Sequence, residues 1–283
     1  MAPRKSDRPQ GAVANPRAAP TAGAGGRQLT WEEMEQAAAR SFSGRPLALQ
    51  MGAPSAPSAS LADLGVNPKL GELSSTYETS GRGPGTVSTG KGDKGGVSYG
   101  SYQLSTNNAR PQDFLAREGA PWAARFAGLA PGGAAFSEVW RAVAAEDPAR
   151  FQAAQHEYIR RTHYQPQVDR VAAATGLDLS RRSYALQDAI WSTAVQLGPE
   201  TDAVVKALRR VGGDPNGPAF EPALVRALYE ERGRRRPDGL LYYFPSAAPK
   251  DQPSLSARFQ REGAQALKML EDERRPWPIP TDF

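Results

Sequence analysis

Two carboxylates are the residues that type and spacing mark out for chemistry. Glu78 closes the segment LGELSSTYE, which is predicted to be helical, and a helix C-terminus tends to raise the pKa of a carboxyl group. Asp93 lies fifteen residues further on, inside a glycine-rich loop. A carboxyl on a helix and one on a loop across a cleft suit glycoside hydrolysis, where one protonates the leaving oxygen and the other activates water. Alternatively, Glu78 is a surface residue and Asp93 forms a turn, and spacing alone favours this alternative.

The glycine-rich segment also fits two nucleotide-binding patterns, but in the wrong context. Residues 90–95 have the spacing GxGxxG, yet a β-prone segment follows where a dinucleotide site needs a helix. Residues 85–92 approach a P-loop, but Gly92 stands where Ser or Thr would bind Mg²⁺. We therefore reject both patterns.

Metal and nucleophile chemistry have equally little support. The string that starts at His156 approaches HExxH, but Arg160 replaces the second histidine. With two His and no Cys in the chain, a transition-metal site is not expected, and His163 is interpreted as structural. No serine lies in a GxSxG context. We therefore expect no metal and no other cofactor.

Composition and charge limit the cellular setting. The chain has 283 residues, with 28 Gly and 25 Pro, and lacks the run of about 18 apolar residues that a membrane span needs. Its N-terminus has neither the apolar region of a secretory signal nor a twin-arginine pair, so we expect synthesis in the cytosol and export by another route. The net charge of +5 only mildly favours anionic partners. The basic run 232–237 is interpreted as a solvated loop, and no nucleic-acid partner is expected.

A change in composition divides the chain into two regions. Residues 1–65 are rich in Ala, Pro, Gly and Ser and predict a mostly disordered leader, interrupted by one amphipathic helix at about 30–42. That helix either docks on a partner or packs on the main domain. Residues 66–283 predict one mainly α domain with a small β-hairpin region near its start, between Gly81 and Leu104. Its clearest predicted helices begin at Pro148, cover 183–197, and lie around 204–211, 224–228 and 259–270.

Four strings resemble lysozyme-like peptidoglycan hydrolases related to chitosanases. They are YETSGRGPGTVSTGKGDKGGVSYGSYQLST at 77–106, YIRRTHYQP at 158–166, WSTAVQLGP at 191–199 and the late segment YYFPSAAPKDQPSLSARFQREGAQALKML at 242–270. Such domains occur as phage lysins and as muramidase domains carried by or delivered with type VI secretion spike proteins. The resemblance covers roughly residues 66–272, and it departs from the family at Leu197, where a histidine is frequent.

The resemblance implies a fold and a set of site residues. The fold would be lysozyme-like, with two helical lobes and a cleft between them. Glu78 would be the general acid and Asp93 the general base of an inverting hydrolysis, and a lytic transglycosylase, which works with the acid alone, is the alternative. For Trp191 a core position is the alternative to a cleft position. The implied substrate-binding residues are Ser98, Tyr99, Gln103, Trp191 and Gln196.

The resemblance also implies a substrate and partners. The substrate would be the peptidoglycan glycan strand, cut at the β-1,4 bond between N-acetylmuramic acid and N-acetylglucosamine. An antibacterial type VI secretion effector, acting in the periplasm or cell wall of a target bacterium, is the favoured interpretation. Its partners would be a secretion spike or chaperone that binds the N-terminal segment, and an immunity protein that blocks the cleft. A phage lysin or tail-associated lysozyme and a non-catalytic wall-binding module remain alternatives.

Overall fold

The computed structural model describes residues 70, 71, 73, 83–90 and 96–275. The predicted leader with its helix at 30–42 and most of the predicted helix before Glu78 lie outside these residues, although Leu73 itself is helical. The division of the chain at residue 65 therefore stays a prediction.

Helices dominate the described part, as the sequence predicts. A two-stranded antiparallel hairpin pairs β1 (Ser98–Tyr99) with β2 (Leu104–Ser105), and Val87 adds a single bridge to Tyr99. The prediction of a mainly α domain with a small β-hairpin is thus confirmed. The eight α-helices of the described residues are α1 (Arg110–Ala116), α2 (Ala134–Glu146), α3 (Pro148–Ile159), α4 (Gln165–Thr175), α5 (Tyr184–Leu197), α6 (Ala203–Val211), α7 (Phe220–Arg232) and α8 (Gln252–Arg274).

Side-chain caps fix the starts of two predicted helices. The Asp147 carboxylate accepts a hydrogen bond from the Arg150 amide at 3.0 Å, and Pro148 takes the first helical position of α3, where its missing N–H costs nothing. The Ser183 hydroxyl accepts from the Leu186 amide at 3.2 Å and starts α5. Both helices begin where their sequences predict.

A π-helical segment joins α3 to α4. It covers Arg160–Tyr164 and makes the chain from Pro148 to Thr175 one nearly continuous helical rod. Pro166 has no N–H to donate to the carbonyl one turn earlier, and its ring crowds that carbonyl, so a regular α-helix cannot pass through. At the end of this segment the Gln165 amide donates to the Arg160 carbonyl, five residues earlier, and the Thr162 hydroxyl donates to the Tyr158 carbonyl at 2.7 Å.

An aromatic core lies beneath the hairpin. Tyr99 on β1 contacts Phe136 and Trp140 of α2, each with a ring-centroid distance of 5.1 Å. Trp140 in turn contacts Phe114 of α1 at 5.5 Å and Phe151 of α3 at 4.9 Å. All five rings are buried, and most meet edge to face or tilted, the geometries that aromatic pairs prefer. The hairpin is therefore fixed to three helices.

A buried ion cluster holds α5, α7 and α8 together. The Glu262 carboxylate of α8 accepts from Arg232 at 2.9 Å and from the Tyr229 hydroxyl at 3.0 Å, both on α7, and also from Ser192 of α5. Arg258 forms a further ion pair with Glu262 at 3.3 Å. Burial would raise the pKa of Glu262, but the two guanidinium groups and the donated hydrogen bonds outweigh it and hold this pKa below its ordinary value.

The structure corrects the interpretation of the basic run 232–237 as a solvated loop. Arg232 is the last residue of α7, and its side chain is fully buried. The sequence gives no warning, because the acidic partner Glu262 lies thirty residues away on another helix. The interpretation is therefore wrong for Arg232.

We expect Arg232→Ala to lower the free energy of unfolding by about 3–5 kcal/mol, because it leaves the buried Glu262 carboxylate with much less compensation. Urea unfolding at neutral pH measures the effect. Lys268→Ala is the matched control, since it removes an ion pair with Asp272 that lies on the exposed face of α8. Equal stability of the two variants would contradict the role of the cluster.

Candidate active site

The two predicted catalytic residues, Glu78 and Asp93, lie outside the described residues, so their roles stay predictions. The segments that flank them are described: 70–73 (except Glu72) on one side, and 83–90 and 96–97 around the loop of Asp93. These flanking segments are the part of the candidate site that the structure describes.

A three-residue anchor holds the segment that leads to Glu78. The Asp188 carboxylate on α5 accepts from the Gly71 amide at 2.5 Å and from the Leu73 amide at 2.8 Å. The His156 Nε2 atom on α3 pairs with the Leu70 carbonyl at 2.7 Å. Asp188, His156 and Trp191, which packs on Gly71, are called the anchor below.

Trp191 contributes to the anchor by packing its indole ring against Gly71. A Cβ atom on Gly71 would lie 3.1 Å from the indole Nε1, and Gly71 has a φ of +93°, so close approach and backbone conformation both require glycine here. On the other side, the indole stacks on the His156 ring with centroids 4.6 Å apart. Trp191 is fully buried, which is the core position that the sequence left open.

The charge state of His156 follows from this packing. Burial lowers the pKa of His156 and outweighs the opposing effect of its bond to the Leu70 carbonyl. The neutral ring then donates from Nε2 to that carbonyl. His156 thus acts in the fold as a hydrogen-bond donor.

The two ends of the loop that contains Asp93 are in contact with each other. A Cβ atom on Gly90 would lie 2.8 Å from the Val97 amide nitrogen and 3.0 Å from the Gly96 carbonyl carbon, so the two ends touch. Before the loop, the Pro84 carbonyl accepts from Trp140 at 2.8 Å and from Gln155 at 3.0 Å. The base of the loop is therefore fixed against α2 and α3.

Three predicted sugar-binding residues lie together in the hairpin. Ser98 is buried, and its amide donates to the Ser88 hydroxyl at 2.8 Å. The Tyr99 ring is fully buried in the aromatic core, and its hydroxyl accepts from the Gly132 amide at 2.9 Å. Gln103 is partly exposed, has a φ of +52°, and donates to the Gly100 carbonyl at 2.9 Å. Of the three, Gln103 has the side chain best able to reach a ligand.

The other two predicted sugar-binding residues lie on α5, away from the hairpin in sequence. Gln196 is partly exposed near the end of α5, and its Oε1 accepts from the buried Arg232 at 2.6 Å. Tyr99 and Trp191 are fully buried, so neither ring is exposed to a ligand in this structure. Sugar binding by the five residues stays a prediction.

Sequence reasoning missed Asp188 and Tyr102. The Tyr102 ring lies 6.3 Å from the His156 ring and 6.5 Å from the Trp191 ring, so it connects the hairpin to the anchor. The sequence does contain a signal for Asp188, because it lies on the mostly apolar, buried face of α5. A carboxylate in such a place needs hydrogen-bond donors from elsewhere in the fold. Its partners, more than 110 residues earlier, were beyond what one sequence can indicate.

A cavity of about 670 Å³ lies elsewhere and contains none of the predicted site residues. Arg181, Arg182 and Arg209 line it, near the C-terminal ends of α4 and α6. Arg209 lies in the last turn of α6, where a guanidinium complements the negative end of the helix dipole, and Arg182 donates to the Pro215 carbonyl at 2.6 Å.

Within the described residues, no three His, Asp or Glu side chains converge in a way that could hold a metal ion. Across the same residues, no helix combines the length and the apolar character that crossing a membrane requires.

The chain belongs to the VgrG3-like C-terminal family of type VI secretion system spike proteins, whose sequence profile matches residues 70–263. The matched region includes the anchor, the hairpin of β1 and β2, and the whole ion cluster. Over 139 residues the chain is 41% identical to the type VI secretion system spike protein VgrG3 of Vibrio cholerae serotype O1. This alignment covers 49% of the chain but only 13% of that relative, so the chain corresponds to a small part of the length of the spike protein.

We expect Asp188→Ala to free the amides of Gly71 and Leu73 and to destabilise the fold by about 1–3 kcal/mol, because buried donors lose their acceptor. Hydrogen exchange at these two amides should accelerate beyond what global unfolding explains. Asp169→Ala, at an exposed position on α4, is the control. Unchanged exchange at Gly71 and Leu73 would refute the anchor.

The two buried histidines should make the fold acid-sensitive. Burial lowers the pKa of both rings, that of His163 to about 3, whereas an unfolded chain titrates near 6.5. Between those values the unfolded state binds more protons, so the free energy of unfolding falls as the pH drops from about 6.5 toward 3. Urea unfolding at several pH values measures this slope. His163→Gln should flatten it, and an identical slope in the variant would count against the burial argument.

Proposed function

We propose that this protein is a peptidoglycan muramidase delivered by a type VI secretion system. It would hydrolyse the β-1,4 bond between N-acetylmuramic acid and N-acetylglucosamine. The observation that carries the proposal is the family match to spike-protein C-terminal regions, which spans both sequence-predicted carboxylates. The similarity of residues 77–106 to lysozyme-like hydrolases supplies the reaction class.

In this mechanism Glu78 protonates the leaving glycosidic oxygen, and Asp93 accepts a proton from the attacking water. Inversion needs the two carboxyl groups about 6.5–9.5 Å apart, so that a water fits between them. The anchor holds the segment that precedes Glu78 in the sequence, and Gly90 contacts Gly96 and Val97 across the ends of the loop that contains Asp93. No step requires a metal or other cofactor.

The proposed partners follow from the same relationship. The predicted leader, with its helix at 30–42, would bind a secretion spike or a chaperone, and an immunity protein in the producing cell would occupy the cleft. Export to the periplasm or cell wall of a target bacterium fits the relationship to spike proteins. A phage lysin would keep the chemistry with a different carrier. A wall-binding module would keep the fold without the reaction.

We expect Glu78→Gln to lower the hydrolysis of purified peptidoglycan by about 100-fold or more, because an amide cannot donate a proton to the leaving oxygen. Loss of turbidity of a sacculus suspension measures the rate. Glu200→Gln, at an exposed loop position, should match the wild type. A Glu78→Gln protein that retains more than a few per cent of the activity would remove Glu78 as the acid.

We expect Asp93→Asn to lose nearly all activity, without a glycosyl-enzyme adduct on Asp93, because this residue activates water and does not attack the sugar. Mass spectrometry of the released fragments should find reducing ends. Asp214→Asn, at an exposed loop position, is the control. Substantial activity in Asp93→Asn, or 1,6-anhydro ends in the wild-type digest, would instead indicate a lytic transglycosylase.

A further inference from the structure

A short hairpin that follows α7 presents an aromatic and cationic surface. The backbones of Arg235 and Leu241 form an antiparallel β-bridge, and the Tyr242 amide donates to the Arg234 carbonyl at 2.8 Å. The turn between the two arms closes through a bond from the Gly239 amide to the Arg236 carbonyl at 2.9 Å. The side chains of this hairpin therefore project from a hydrogen-bonded frame.

Tyr242 is the central side chain of this surface. It is 43% exposed, and among the described residues only Tyr184, at 45%, is a comparably exposed large apolar side chain. The Arg234 guanidinium lies over the Tyr242 ring at 3.5 Å from its centroid, and the Lys206 ammonium lies at 5.2 Å. These cation–π contacts restrict the ring while leaving much of it in solvent.

Most of the positive charge on this surface is compensated. Lys206 pairs with Asp202 and Arg236 with Asp238, and these two pairs are electrically neutral. Arg234 pairs with the buried Glu231, a carboxylate that it shares with Arg210 of α6.

Arg235 is the exception. It is exposed, its Nη1 donates to the Gly239 carbonyl at 2.7 Å, and it has no carboxylate partner in the part of the chain that the structure describes. The surface thus offers the unpaired Arg235 guanidinium, and the only partly compensated Arg234, beside one exposed aromatic ring.

The hairpin follows Arg232 in the chain, and Arg232 contacts a predicted sugar-binding residue, Gln196. It starts two residues after Arg232, whose Nη2 donates to Gln196 at 2.6 Å. Its other arm is tied to the core by the Tyr243 hydroxyl, which donates to Glu231 at 2.8 Å. Residues of α7 therefore hold both Gln196 and the hairpin.

We propose that Lys206, Arg234, Arg235, Arg236 and Tyr242 form a binding surface for a glycan strand that carries carboxylates, here called the Tyr242 surface. The ring would pack against the apolar face of a sugar, and Arg235 would pair with a carboxylate of the lactyl ether or the stem peptide. A polymer with spaced carboxylates matches so few uncompensated cations, whereas a nucleic acid, with a phosphate on every unit, does not. This proposal rests on the proposed function, because it takes peptidoglycan as the ligand.

The test is binding of the full chain to purified insoluble sacculi by co-sedimentation. The chain carries Glu78→Gln in every sample, so that hydrolysis does not consume the ligand. We expect Tyr242→Ala or Arg235→Glu to weaken binding by about tenfold, since exposed aromatic and arginine contacts concentrate binding energy. Tyr184→Ala is the matched control for loss of an exposed tyrosine and should bind as the parent does. Thermal unfolding checks that each variant is folded.

A second arm tests the charge. Sacculi whose carboxyl groups have been converted to methylamides should bind the parent about tenfold more weakly, and Arg235→Glu should then cause no further loss. Equal binding of Tyr242→Ala and the parent, or equal binding of native and amidated sacculi, would overturn the proposal. Stronger binding to double-stranded DNA than to sacculi would assign the surface to nucleic acid and overturn it too.

The failure of this proposal can be told from a failure of the proposed function. If Glu78→Gln abolishes hydrolysis but the surface variants bind as the parent does, the Tyr242 surface alone is wrong. If Glu78→Gln leaves hydrolysis intact, the catalytic assignment fails whatever the binding data give.

Discussion

The carboxylate of Glu262 is the interaction on which the C-terminal half of the structure depends. Ser192, Tyr229 and Arg232 donate to it from two other helices, so three helices share one buried negative charge. Such a group is costly to bury and tolerates little displacement, because every lost donor leaves charge uncompensated. The cluster thereby sets the positions of α5 and α7 relative to α8. Two residues of the anchor, Asp188 and Trp191, lie on the same α5. The position of Leu70–Leu73 therefore depends on the ion cluster as well.

Local signals in the sequence predict the helices well. Asp147 with Pro148 and Ser183 are caps whose effect operates within four residues, and both helices begin there. Helix α2 has no such signal: it begins after Gly133 without a side-chain cap and is held by the packing of Phe136 and Trp140. Tertiary burial, which a single sequence does not display, determines that helix.

The sequence identifies candidate residues for the site, but it does not identify the residues that hold the neighbouring backbone in place. Motif similarity finds Glu78 and Asp93 as candidates, and it groups Ser98, Tyr99 and Gln103 in one hairpin. It also selects Tyr99 and Trp191 for sugar contact, although both rings are buried. Aromatic residues in a motif reflect packing as often as contact with a ligand. The residues that carry the support, such as Asp188, act through partners far along the chain, which local patterns cannot reveal.

The long separation between the two sides of the anchor has a consequence for folding order. Asp188 and Gly71 are 117 residues apart, so their contact closes a long loop whose entropic cost must be met by structure already in place. Helices α3 and α5 supply that structure, and they form from local signals. The segment that leads to Glu78 therefore docks late, after its receptor helices have assembled. A nascent or partly folded chain would therefore hold Leu70, Gly71 and Leu73 in place only after α3 and α5 have packed.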